Sequence, residues 1–208
     1  MVTKLDAVIM HAVAEKMIQT GYYKTFTKHI SDFLELEAAV DLLSAQIYPN
    51  TKEITEATGA FRAAWKYLKR DFRPDDPDVT VVCVGDGRTS RVGALCAFRT
   101  RWNCISIDPI MKKTTWTVPT GGTTIKRLTC IPDVVENVTI DVEKLLIMTI
   151  HSHAPLDKVL TNLTGETRAM IAIPCCIPIP PEIPNPDIEY IDTGIWSPKN
   201  TVKIWRHI

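Results

Sequence analysis

The chain has no excess of charge of either sign, with 24 Lys and Arg against 24 Asp and Glu in 208 residues. A whole-surface attraction to nucleic acid or to an anionic membrane is therefore not expected, and any electropositive contact must be local. No apolar run approaches the roughly 18 residues of a membrane-spanning helix. No uninterrupted apolar stretch follows Met1-Val2-Thr3-Lys4-Leu5-Asp6, so no secretory signal is expected either. The chain reads as intracellular and cytoplasmic, with no membrane partner. Its six cysteines are then free thiols or ligands, and the sequons Asn137-Val138-Thr139 and Asn162-Leu163-Thr164 are chance matches. There is no internal repeat. What is present, 45% hydrophobic and 23% charged residues, suits a globular protein long enough to bury a sizeable core.

Residues 1–73 read as a helical N-terminal extension. Leu5, Val8, Ile9 and Ala12 recur at helical spacing, as do Phe33, Val40, Leu43 and Ile47. A third helix has Thr51 as its cap and Ile54, Ala57, Phe61, Trp65 and Leu68 as its apolar stripe. Residues 71–78, with two prolines and four aspartates, end it.

The period then changes. Residues 79–84 form a nearly continuous β-branched apolar run, as in a strand buried on both faces of a parallel sheet. A helix is expected over 90–102, then strands over 104–107, 125–131, 144–150 and 168–173, with a short helix over 156–163. Residues 108–125 do not suit a helix, and only residues 132–143 separate the third and fourth strands. Five prolines within 177–186 forbid a helix there. Residues 189–195 and 201–206 flank Trp196-Ser197-Pro198-Lys199-Asn200 and read as a hairpin. The expectation is an α/β, Rossmann-like domain over 74–208, mostly parallel, with a C-terminal antiparallel hairpin.

The chemistry concentrates where Val81-Val82-Cys83-Val84 runs into Gly85-Asp86-Gly87-Arg88. Two glycines at a strand end let the backbone turn sharply and approach a ligand. Asp108 closes the next strand 21 residues after Gly87, about the separation at which an acidic residue reaches both ribose hydroxyls of a bound nucleotide. Ser90 stands where a dinucleotide fingerprint needs its third glycine, and Gly93 comes later, which counts against NAD.

This order of elements, with its short glycine turn and terminal hairpin, resembles the class I, Rossmann-like S-adenosylmethionine-dependent methyltransferases, as a divergent member. The resemblance implies S-adenosylmethionine as cofactor, held by Gly85, Asp86, Gly87, Arg88 and Asp108, with Asp133 as a candidate for the adenine amino group. It implies a transferase, with His151 or His153 nearest the transferred methyl. The family usually carries an acidic residue two before the first glycine, and this chain has Cys83. Neither an Asn/Asp-Pro-Pro-Tyr loop nor a Lys-Asp-Lys-Glu set is present. A catalytically inactive binding or scaffold protein on the same fold is therefore the alternative.

His151-Ser152-His153 follows the fourth strand and Pro174-Cys175-Cys176 the fifth, so both stretches should reach the ligand edge. The histidines can serve as base or orienter. Two histidines with two cysteines also suit zinc, although adjacent cysteines and His-x-His are awkward spacings, and no metal is expected. Packing of the cysteines as small hydrophobes is the third reading. A basic stretch from Arg62 to Lys113, with Lys66, Lys69, Arg70, Arg73, Arg88, Arg91, Arg99, Arg101 and Lys112 and interleaved Trp65, Trp102 and Trp116, offers a surface for RNA or a protein partner.

Overall fold

A computed structural model describes residues 27–119 and 122–208. The helix expected around Leu5 to Ala12 lies outside them. In chain order come α1 (Lys28–Leu34), α2 (Ala39–Ser44), α3 (Thr51–Tyr67), β1 (Val79–Val84), α4 (Arg91–Arg99), β2 (Asn103–Ile107), β3 (Thr117–Val118), β4 (Thr123–Thr124), β5 (Leu128–Ile131), a 3-10 turn (Val135–Asn137), β6 (Ile140–Ile150), α5 (Leu156–Asn162), β7 (Leu163–Ile173), β8 (Ile188–Ile191) and β9 (Thr201–Trp205).

Among the described residues, seven strands form one sheet in the order β5-β2-β1-β6-β7-β9-β8. β5, β2, β1, β6 and β7 are parallel neighbours. β9 runs antiparallel to both β7 and β8, so the terminal hairpin inserts its second strand against β7 and leaves β8 at the edge. This is the Rossmann-like arrangement with an antiparallel terminus that the strand pattern predicts. Among the described residues, β3 and β4 pair only with each other.

Burial on both faces explains the continuous apolar runs. Val79, Val81 and Cys83 of β1 point into one layer with Leu146 and Met148 of β6, Phe33, Leu42, Phe61 and Leu95. The alternate residues Val82, Val84, Leu145 and Ile147 point into the other, with Val159 and Trp205. That second layer has little helix over it. Ile179 and Ile183 of the proline-rich segment pack there instead, and Trp205 Nε1 donates to the Pro184 carbonyl at 2.6 Å.

α3 rests on the sheet, against α4, β6, β7 and β9, and its residues share one core with β1 and α4. Core packing is therefore continuous across position 73. Three local expectations need correction. Asn50, not Thr51, caps α3: its side chain accepts from the Glu53 N–H at 3.1 Å, and Thr51 is the first helical residue. Val40 is 64% exposed and Leu43 43%, while Leu42 and Ala39 are buried. The break between α1 and α2 resets the helical phase that the spacing from Phe33 assumed. Trp65, placed on the buried stripe of α3, is 46% exposed.

Leu146 lies at the centre of the sheet with no exposure. Leu146→Ala removes its buried methyl groups and leaves a cavity, so unfolding free energy should fall by about 2–5 kcal/mol. Chemical denaturation should show this as a lower midpoint with an unchanged slope; a midpoint within error of the parent would contradict the layer assignment.

Candidate functional site

Chain order runs outward from β1 through β2 to β5, then returns to β6 on the other side of β1. Open α/β sheets bind ligands at such a switch point, beyond the carboxyl ends of the strands. A cleft of about 980 Å³ opens there. Its walls include Gly85 and Gly87 after β1, Asp108 and Ile110 after β2, Val134 to Glu136 after β5, and His151 and His153 after β6. Gln46, Tyr48 and Pro49, ahead of α3, complete one side.

The glycine turn is built by two positive-φ residues, Gly85 at 75° and Gly87 at 83°. A side chain on Gly85 would meet Ser152, whose Cα lies 2.9 Å from where a Cβ would stand. Gly85 therefore makes room for the loop after β6, besides turning the chain. Asp86 between the two glycines faces inward. Its carboxylate accepts from the Val92 and Gly93 N–H groups at 3.0 and 3.1 Å and from Ser106 Oγ at 2.7 Å. It is buried and lies outside the cleft lining. Burial pushes its carboxyl above the usual range, against Arg91 and these hydrogen bonds, which lower it. Gly93 packs against Ser106 and Ser90, so it serves the close helix–strand approach that a third fingerprint glycine would serve.

Asp108 is held from both sides. Oδ2 accepts from the Gly87 N–H at 2.7 Å and Oδ1 from the Ile110 N–H at 2.9 Å. Each oxygen keeps acceptor capacity beyond these bonds, and Asp108 is part of the cleft lining. Arg88 lines the cleft as well. Asp133 does not; its Oδ1 accepts from the Val134 N–H and Asn137 Nδ2 at 2.7 and 2.9 Å, fixing the 3-10 turn whose residues do line it. Cys83 is 1% exposed, and burial pushes its thiol up, so no charge stands at that position. All six cysteines are free.

His151 adopts a left-handed φ of 52°, uncommon for a residue with a side chain, while its N–H stays bonded to the Ile173 carbonyl at 2.9 Å. Nε2 lies 2.9 Å from Glu56 Oε1. Glu56, on α3 and 3% exposed, also pairs with Lys52 at 2.8 Å. Burial alone would raise its carboxyl, but His151 and Lys52 bring it down to about 2. Burial would likewise lower the His151 imidazole, yet Glu56 holds it above its ordinary value. Sequence reading missed Glu56, because Lys52 and Glu56 at i and i+4 look like a solvated surface pair.

His153 Nε2 lies 3.3 Å from Cys175 Sγ and 3.2 Å from Cys176 Sγ. Burial opposes it, but hydrogen bonds from Cys176 and His153 lower the Cys175 thiol to about 7. The basic stretch divides. Arg88, Arg91 and Lys112 border the cleft. Arg62, Lys66, Lys69 and Arg99 surround a second concavity of about 660 Å³ with Trp65, while Trp102 and Trp116 are buried. Among the described residues, no helix is long and apolar enough to cross a membrane.

No protein-family profile matches the chain, and no curated protein does. Solved structures that the chain resembles at low identity include the following two. One is a candidate S-adenosyl-L-methionine-dependent methyltransferase from Methanococcus maripaludis, at 14% identity and TM-score 0.40, covering 66% of this chain and 65% of that one. The other is a mutant of MtNAS, at 12% identity and TM-score 0.47, covering 98% and 78%. The chain thus spans just under two thirds of the first. Neither likeness is close enough to bear on chemistry, which rests on the site itself.

The Glu56–His151 pair has a defined pH window. Glu56, depressed in the fold, contributes stability above its unfolded value near 4.5, lost as pH falls toward about 2. His151, raised in the fold, contributes below its unfolded value near 6.5, lost as pH rises beyond it. The pair should therefore add most between about pH 4.5 and 6.5. In Glu56→Gln this component should vanish from the pH–stability curve; parallel curves for variant and parent would rule the pair out.

Proposed function

We propose that the chain binds S-adenosylmethionine in this cleft and transfers its methyl group. The observation that carries the reading is the Asp108 carboxylate, fixed at the end of β2 by the Gly87 N–H on the wall of a cleft of about 980 Å³. Asp108 would accept from the ribose hydroxyls. The Gly85–Gly87 turn, with no side chain at either glycine, would let the ligand approach the backbone. Ile110, Val134 and Val135 would sandwich the adenine. When bound, the cofactor supplies an electrophilic methyl, and the protein's task is mainly to align an acceptor with it. His151, beside the Glu56 carboxylate, would receive the acceptor's proton.

The acceptor class best suited to the surroundings is RNA or another phosphate-bearing molecule. Arg88 and Lys112 on the cleft wall, and Lys66, Lys69 and Arg99 near exposed Trp65, support that choice. A second reading, a binding or scaffold protein on the same fold, is favoured by Cys83. The buried thiol offers nothing to the ammonium of the methionine end.

Titration calorimetry separates these readings. S-adenosylhomocysteine should bind the parent chain, NAD should not, and Asp108→Asn, which keeps one acceptor for the backbone, should weaken binding about 10- to 100-fold. Absence of binding at millimolar ligand, or equal binding by the variant, would sink the cofactor assignment. Transfer of a labelled methyl to RNA, abolished by His151→Ala while S-adenosylhomocysteine still binds, distinguishes an enzyme from a scaffold; binding with no transfer favours the scaffold.

A further inference from the structure

β6 and β7 are parallel neighbours whose last residues, Ile150 and Ile173, stand opposite each other. Their loops therefore leave the sheet side by side. The left-handed turn at His151 keeps the first loop beside the second, with the His151 N–H on the Ile173 carbonyl. Side chains 22 residues apart meet as a result. His153 Nε2, Cys175 Sγ and Cys176 Sγ form a triangle with sides of 3.2, 3.3 and 3.4 Å. Adjacent cysteines in an extended chain point to opposite faces. Here the bend after β7 brings both sulfurs to one side.

Such a triangle is poorly satisfied as neutral groups. A neutral imidazole has a single acceptor nitrogen with one in-plane lone pair, yet two thiols crowd the same Nε2. A cation resolves this, because each of the three atoms then directs a lone pair at one centre. Metal–sulfur bonds of about 2.3 Å and metal–nitrogen bonds of about 2.0 Å in tetrahedral geometry separate the ligand atoms by roughly 3.5–3.8 Å. The observed triangle needs to open by only a few tenths of an ångström.

We propose that His153, Cys175 and Cys176 bind one zinc ion at the lip of the cleft. Two thiolates and an imidazole exclude magnesium and calcium, which take oxygen ligands, and suit zinc. The two thiolates neutralise the divalent charge. Three protein ligands leave a fourth position open, the pattern of a reactive rather than a structural zinc. His153 and Cys176 are exposed, so water reaches that position. His153 also lines the cleft, which puts the ion within range of a molecule bound there. The adjacent cysteines, awkward in an extended chain, are made compatible with one ion by the bend after β7, and the third ligand comes from the neighbouring strand end.

The test uses the full chain without a histidine tag, grown with zinc and dialysed against metal-free buffer. Elemental analysis should give about one zinc per chain, and Cys176→Ser, His153→Ala and the double variant Cys175→Ser/Cys176→Ser should each fall below about a tenth. Circular dichroism of the variants should match the parent, since none of these side chains is in the core. Cobalt added to the metal-free parent should give a near-ultraviolet thiolate-to-metal band that Cys176→Ser weakens. Zinc below a tenth per parent chain, zinc retained in the variants, cobalt without a thiolate band, or a Cys175–Cys176 disulfide in freshly purified chain would each overturn the proposal. None of the three ligands contacts Asp108 or the glycine turn, so failure here leaves the cofactor reading untouched, and the reverse.

Discussion

The buried carboxylate of Asp86 ties together the pieces on which the cleft depends. It receives the first free N–H groups of α4 through Val92 and Gly93, and a hydroxyl from β2 through Ser106. One side chain thus fixes the turn after β1, the start of α4 and the neighbouring strand. A buried carboxyl is costly unless satisfied in this way, so few other arrangements of the turn are open. With Asp86 turned inward, the Gly87 N–H points at Asp108, and the backbone of the turn is left facing the cleft. The positive φ angles at Gly85 and Gly87 are the means by which the residue between them is rotated away from the ligand side.

A second set of contacts joins the N-terminal helices to the same edge. Tyr48 Oη donates to the Arg91 carbonyl at 2.9 Å and Thr89 Oγ1 to the Ile47 carbonyl at 2.6 Å. Arg91 pairs with Glu53 and donates to the Asp86 carbonyl at 2.7 Å. The helical segment before β1 is therefore a wall of the cleft as well as part of the core. Glu56 extends this logic to His151, where a helix carboxylate 2.9 Å from Nε2 favours the charged form of a ring just after β6.

The parts legible in the sequence are those that local pattern determines. β1 is a buried β-branched run, and Gly85, Gly87 and Asp108 are read from spacing within one strand–helix–strand unit. The inner ends of β6 and β7 were legible for the same reason. Their outer ends, over 140–143 and 163–167, were not, because there the strands alternate or carry polar residues and Gly165. The inward turn of Asp86, away from the cleft lining, is not legible because sequence alone does not reveal the φ signs of its neighbours. Glu56 with His151, and His153 with Cys175 and Cys176, depend on how α3 docks and on which strand ends are neighbours. No window of sequence contains both members of either set.

Asp108 and the Gly85–Gly87 turn are proposed to form an adenosyl site. A crystal structure of the chain with S-adenosylhomocysteine tests it most directly. Both ribose hydroxyls should lie within hydrogen-bonding distance of the Asp108 carboxylate, with the adenine between Ile110 and Val135 and no contact to Asp86. Ligand density elsewhere on the molecule, or a ribose turned away from Asp108, would contradict it.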